Sequence, residues 1–164
     1  MKELTFGELF NKPIELIIWP DSVTHLSFGQ HFNRPVDEVN WPIALHSLSF
    51  GLVDHRLSSG DKFSMWSHFT KSLDKAKWPA SLRRFAVGGE FLQPLDELDA
   101  WMPHLEEFTI LVREWCPYGS FMRPIGWPKG LRKLTVHDDV DPGMMSLPEG
   151  VQVVCLRRDK WERW

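Results

Sequence analysis

Leu26 to Pro42 reads LSFGQHFNRPVDEVNWP, and Leu4 to Pro20 reads LTFGELFNKPIELIIWP. Leu, Phe-Gly, Phe-Asn, Pro and Trp-Pro fall at the same offsets in both stretches, 22 residues apart, and a third copy opens at Leu48 as LSFG. Self-similarity at a period of about 20–50 residues marks a stack of small units, none of which can hide its apolar side alone.

Working outward, a three-residue apolar-x-apolar core recurs. It is Leu4-Thr5-Phe6, Leu26-Ser27-Phe28, Leu48-Ser49-Phe50, Phe85-Ala86-Val87, Phe108-Thr109-Ile110, Leu134-Thr135-Val136 and Val154-Cys155-Leu156. Side chains alternate along a strand, so each core turns its outer residues one way and its middle residue the other. Stacking these strands in parallel gives a continuous apolar column, and parallel strands need a long return path between them. The intervening residues supply it. Corners such as Trp19-Pro20, Trp41-Pro42, Trp78-Pro79 and Trp127-Pro128 suit the bend into the next strand, because proline fixes φ and removes a donor.

The phrase Phe-Asn-x-Pro-apolar belongs to the return path. It stands at 10–14 and 32–36 and in altered form at 91–95 and 121–125. Phe and the final apolar residue read as core, and Asn11 and Asn33 as partners for backbone between rungs. Glycine after the core (Gly7, Gly29, Gly51, Gly88) is expected to turn the chain with positive φ. The third rung is longer, with an insertion over 52–77. Met65, Trp66, Phe69 and Leu73 share one helical face there, which predicts a helix near 64–76. The charged end 157–164 is expected to cap the stack.

The repeating unit resembles the strand segment of leucine-rich repeats, and the fuller phrase is similar to the FNIP repeat. Val23 to Val36 carries the match best. The resemblance implies a right-handed coil whose curved parallel sheet serves protein recognition on its concave side. The expectation is an α/β repeat solenoid in one domain, 1–164. It has about seven short parallel strands, near residues 4, 26, 48, 85, 108, 134 and 154, mostly loop return paths, and the one inserted helix.

Composition narrows function. The 164 residues are 43 % hydrophobic and 25 % charged, which fits a packed soluble domain and not a disordered one. A net charge of −3 speaks against phosphate-neutralising nucleic-acid binding. The two cysteines, Cys116 and Cys155, are too few for a disulfide framework and suit a reducing compartment. The opening MKELTFGELF has no secretory pattern, and the stretch IELIIWP is too short to span a bilayer. An intracellular, most simply cytoplasmic, protein without membrane contact is expected.

Chemistry is sparse. The seven histidines show no ligand spacing, and no Cys-x-x-Cys or His-Glu-x-x-His occurs. Cys155 with His137 lacks a third orienting group, Asp138, Asp139 and Asp141 read first as a turn, and Val87-Gly88-Gly89-Glu90 lacks the rest of a phosphate loop. No enzyme, cofactor or metal site is expected. A partner protein is, bound on the concave face of the sheet, with candidate contacts His25, Ser27, Ser49, Arg84, Glu107, Thr109, Lys133, Thr135, His137 and Arg157 on the outward side of the strands. The alternative is a structural subunit held through its aromatic convex side and termini. The sequence leaves the oligomeric state open.

Overall fold

The computed structural model describes residues 2–51, 67–112, 125–137 and 140–156. Seven strands form one sheet: β1 Lys2–Thr5, β2 Val23–Phe28, β3 Ser47–Phe50, β4 Arg84–Gly89, β5 Glu107–Val112, β6 Lys133–His137 and β7 Gln152–Leu156. Every neighbouring pair is parallel, and spatial order equals chain order. The chain therefore coils, adding one strand per turn. Helix is confined, among the described residues, to the single turn α1, Leu98–Trp101, and a 3-10 turn at Pro142–Met145.

Register brings like residues together. Leu4, Leu26, Leu48, Phe85, Phe108, Leu134 and Val153 form one inward row. The second row holds Phe28, Phe50, Val87 and Ile110, all at most 2 % exposed. Aromatic rings stack along the coil axis: Phe6 to Phe28 at 5.0 Å and Phe28 to Phe50 at 5.5 Å between centroids. A parallel column runs through the return paths, from Phe10 to Phe32 at 6.2 Å, to Phe69 at 6.2 Å and to Phe91 at 6.3 Å. Phe28 and Phe32 tie the columns at 4.2 Å, as do Phe50 and Phe69. Strand spacing is about 4.8 Å, so rings carried at the same register position of adjacent strands lie face against face with a modest offset.

The corners repeat as well. The N–H groups of Val23, Leu45, Leu82 and Leu131 each donate to the proline carbonyl three residues earlier at 3.0 Å. Trp19, Trp41 and Trp127 fill the inside of their corners at no more than 9 % exposure.

The third rung departs from expectation. Residues 67–76 are irregular with a turn, not helical, and Met65 and Trp66 lie outside the described residues. Phe69 and Leu73 are fully buried because they occupy the positions of Phe32 and Val36. The i, i+4 spacing that suggests a helix is the spacing of Phe and the aliphatic residue in the return-path phrase itself. Asn33 shows the equivalence. Asn11 Oδ1 accepts the Asn33 N–H at 3.1 Å, and Asn33 Oδ1 accepts the Thr70 N–H at 3.1 Å and its hydroxyl at 3.3 Å. Gln93 Nε2 then donates to the Thr70 carbonyl at 2.8 Å, so the polar ladder passes through four rungs although asparagine appears only in two.

The insertion is thus the shorter run 52–66, and its two ends abut. A Cβ at Gly51 (φ +74°) would lie 2.2 Å from the Cβ of Ser67. Gly51 uses the left-handed region as the sequence suggests, but Gly29 does not: its requirement is space, since a Cβ there would meet the Gly7 carbonyl oxygen at 2.4 Å. In the fourth rung the positive φ belongs to Gly89, not Gly88.

The last strand also sits one residue away from its expected register. Leu134 faces Val153, Thr135 faces Val154 and Val136 faces Cys155. The run Val153-Val154-Cys155-Leu156 is apolar throughout, so alternation cannot be read from it, and hydrogen bonding to β6 decides.

Two outcomes check this packing. Phe28→Ala should destabilise by about 3–5 kcal/mol in a urea melt, as for other buried aromatics; a loss under about 1 kcal/mol would place the ring outside the core. Excising residues 52–66 rejoins Gly51 to Ser67 in a rung of the common length. This variant should fold at least as stably as the full chain, because a shorter loop costs less to close. Loss of cooperative unfolding would mean that the excised residues cover core surface.

Candidate functional site

The strand residues that do not enter the core form the solvent face of the sheet. Two rows define it. The central row is Thr5, Ser27, Ser49, Ala86, Thr109, Thr135 and Val154. The flanking row is Glu3, His25, Ser47, Arg84, Glu107, Lys133 and Gln152. Small side chains fill the central row, so backbone lies close beneath a shallow channel. Ser27, Ser49, Thr109 and Thr135 are half-buried in it, and Ser49 donates its hydroxyl to Ser27 Oγ at 3.0 Å.

The flanking row is charged toward the C-terminal end. Arg84 Nε donates to Glu107 Oε1 at 3.0 Å. One residue upstream, Glu106 stands between Arg83 at 3.6 Å and Arg132 at 3.9 Å. Lys133 lies opposite Glu107 in register. Cations and anions therefore alternate from strand to strand. Each exposed pair contributes about 0–1 kcal/mol, so the arrangement adds little to stability. At the N-terminal end His25 is half-buried, with Nδ1 at 2.9 Å from Thr24 Oγ1. Burial holds its pKa below the ordinary 6.5; Glu3 opposes that effect, while Arg84 and His46 reinforce it.

Eight of the residues singled out from sequence lie together on these two rows: His25, Ser27, Ser49, Arg84, Glu107, Thr109, Lys133 and Thr135. His137 does not share the surface. It ends β6 at 2 % exposure, in the position where earlier rungs carry buried Gly29, Gly51 and Gly88, because the chain there bends back toward the core. The buried glycines were the available signal. Arg157 lies outside the described residues. Cys155 is exposed and faces Val136 in register, one position short of His137. Among the described residues no group of three or more His, Cys, Asp or Glu side chains is arranged to hold a metal ion.

Residues 1–30 and 10–52 match the FNIP Repeat family. The first 52 residues thus match FNIP repeats, and the described strands beyond them continue the same parallel coil. Among solved structures it is similar to the crystal structure of CroV588, "a novel circular LRR protein structure", with a TM-score of 0.59 and 19 % identity over 94 % of this chain and 24 % of that one. This chain thus spans about a quarter of that protein's length, and the likeness is one of fold. No curated protein matches it in sequence. Among the described residues no helix is long and apolar enough to cross a membrane.

The depressed pKa of His25 has a definite sign. The unfolded chain binds the proton more tightly, so the contribution of neutral His25 to stability is complete above 6.5 and is lost as pH falls through the folded-state value. Urea melts of the wild type should weaken below pH 6.5, and His25→Asn should flatten part of that slope. An identical slope in the variant would remove His25 as a source.

Proposed function

We propose that this FNIP-type solenoid is a non-catalytic protein-interaction module that takes its partner on the solvent face of the sheet. The observation that carries this reading is the pairing of two rows: a channel of Ser, Ala and Thr, and beside it a line of alternating charge from Arg84 to Lys133. The channel lets another chain approach the strands closely. The charges set register and reject partners with the wrong pattern, which is how charge across an interface usually acts. Solenoids present such extended faces because every rung adds one strand to them.

The aromatic side chains support this choice over attachment through the back of the coil. Seven phenylalanines, Phe28, Phe32, Phe50, Phe69, Phe85, Phe91 and Phe108, are among the largest fully buried side chains, so among the described residues most phenylalanine rings are used inside. An open cleft of about 380 Å³ does occur at the corners, lined by Val39, Trp41, Ile43 and Pro79 among others, but it is built from return-path residues and carries no charged pair.

Affinity capture with the wild type and with the double variant Arg84→Glu, Lys133→Glu tests the reading. Proteins retained by the wild type should be lost or weakened roughly tenfold or more by reversing two rim charges. The remaining binding should respond less to salt. Equal retention by both proteins would move the interface off this face.

A further inference from the structure

We infer that His31 and His68, with Glu90 beside His68, form a binding site for a zinc-class divalent metal ion next to the aromatic column of the return paths. This inference does not depend on the reading of the sheet face.

Equivalent positions of successive rungs place the three side chains in one row. Each immediately precedes a ring of the return-path column: His31 before Phe32, His68 before Phe69 and Glu90 before Phe91. The backbone fixes the row in the same way at every step. The His31 N–H donates to the Glu8 carbonyl at 2.9 Å, the His68 N–H to the Gln30 carbonyl at 3.0 Å and the Glu90 N–H to the Ser67 carbonyl at 2.8 Å. Each acceptor is the residue just before the row's member one rung earlier. His31 and His68 lie on opposite sides of the run 52–66 in the chain, so no ligand spacing in the sequence shows the pair. They become neighbours because Phe69 stacks on Phe32 one rung above it.

The geometry suits a tetrahedral ion. The two imidazole centroids lie 5.1 Å apart, with the ring planes inclined at 40°. Two imidazoles held by one tetrahedral zinc through bonds of about 2.0–2.1 Å have their centroids about 5 Å apart. Imidazole nitrogen is also the donor that zinc, copper and nickel favour. Glu90 Oε2 lies 3.4 Å from His68 Nδ1. A carboxylate in that place favours the proton on Nδ1, orients the ring and leaves the Nε2 lone pair for the ion, as carboxylates do behind histidine ligands generally. Its charge also offsets that of the cation. His68 and Glu90 keep 39 % and 48 % of their side-chain surface, and His31 is exposed, so an ion reaches the pair from solvent. Among the described residues no three His, Cys, Asp or Glu side chains are arranged as ligands. The site is therefore a two-donor one with a supporting carboxylate. Water completes the coordination, and the ion exchanges readily. A bound ion fastens the second rung to the third where the chain returns from the run 52–66.

Zinc titration of the full chain, followed by calorimetry and by the histidine ring signals in NMR spectra, tests this. Zinc should bind, and the signals of His31 and His68 should shift together while those of His25, His46 and His104 stay in place, a readout that needs no variant. The melting temperature should rise with zinc concentration, because unfolding separates the two ligands. His31→Ala and His68→Ala should each weaken binding by roughly tenfold or more, and Glu90→Gln, which keeps both ligands, by roughly tenfold. All three side chains are solvent-accessible, so the variants should melt like the wild type without zinc. His104→Ala should bind zinc as the wild type does. A wild type that takes up no zinc at millimolar concentration overturns the proposal. So does either histidine variant binding as tightly as the wild type, or zinc that moves the signals of only one of the two rings.

Discussion

No rung of this chain can bury its own apolar side. A three-residue strand with two inward residues exposes both unless another strand lies on each flank, and every other feature answers to that constraint. It explains why the inward residues of β2 and β3 are covered while Leu4 of the edge strand β1 is not. It also explains why aromatic residues recur at the same places. Phe6, Phe28 and Phe50 stack at 5.0–5.5 Å because successive strands deliver them one above another at the spacing of the backbone hydrogen bonds. Burial of each ring is worth about 1.5–3 kcal/mol, and most of that stabilisation arises between rungs rather than within one.

Close stacking creates a second demand. The return paths must satisfy backbone groups that face neighbouring rungs, where water has little access. Asn11 and Asn33 do so by reaching one rung forward, and Thr70 and Gln93 continue the line with different chemistry. Gly29 exists for the same reason: the preceding turn leaves no room for a Cβ. The face that remains after these demands are met is the solvent side of the sheet. Its small central residues and alternating charges carry little folding energy.

Much of this was legible because the period is written in the residues themselves. The strand cores, their parallel order and the outward position of Ser27, Ser49, Arg84, Glu107, Thr109, Lys133 and Thr135 all follow from alignment of the copies. Three features did not. Phe69 and Leu73 mimic a helical face because the return-path phrase has its own i, i+4 apolar pair. In β7, four consecutive apolar residues erase the alternation that would set the register. His137 looked like part of the outward surface, yet it sits where the chain folds inward.

The sequence by itself determined the coil: a phrase repeated at 22 residues obliges equivalent strands to lie side by side, since each has the same unmet apolar side. Only the tertiary structure decided how the irregular rungs join it. There the local pattern is ambiguous, and the choice is made by partners distant in the chain, such as Asn33 holding Thr70 or β6 selecting the residues of β7 it will bond. Contacts of that kind depend on which surfaces meet, and a pattern of residue types along one chain does not contain them.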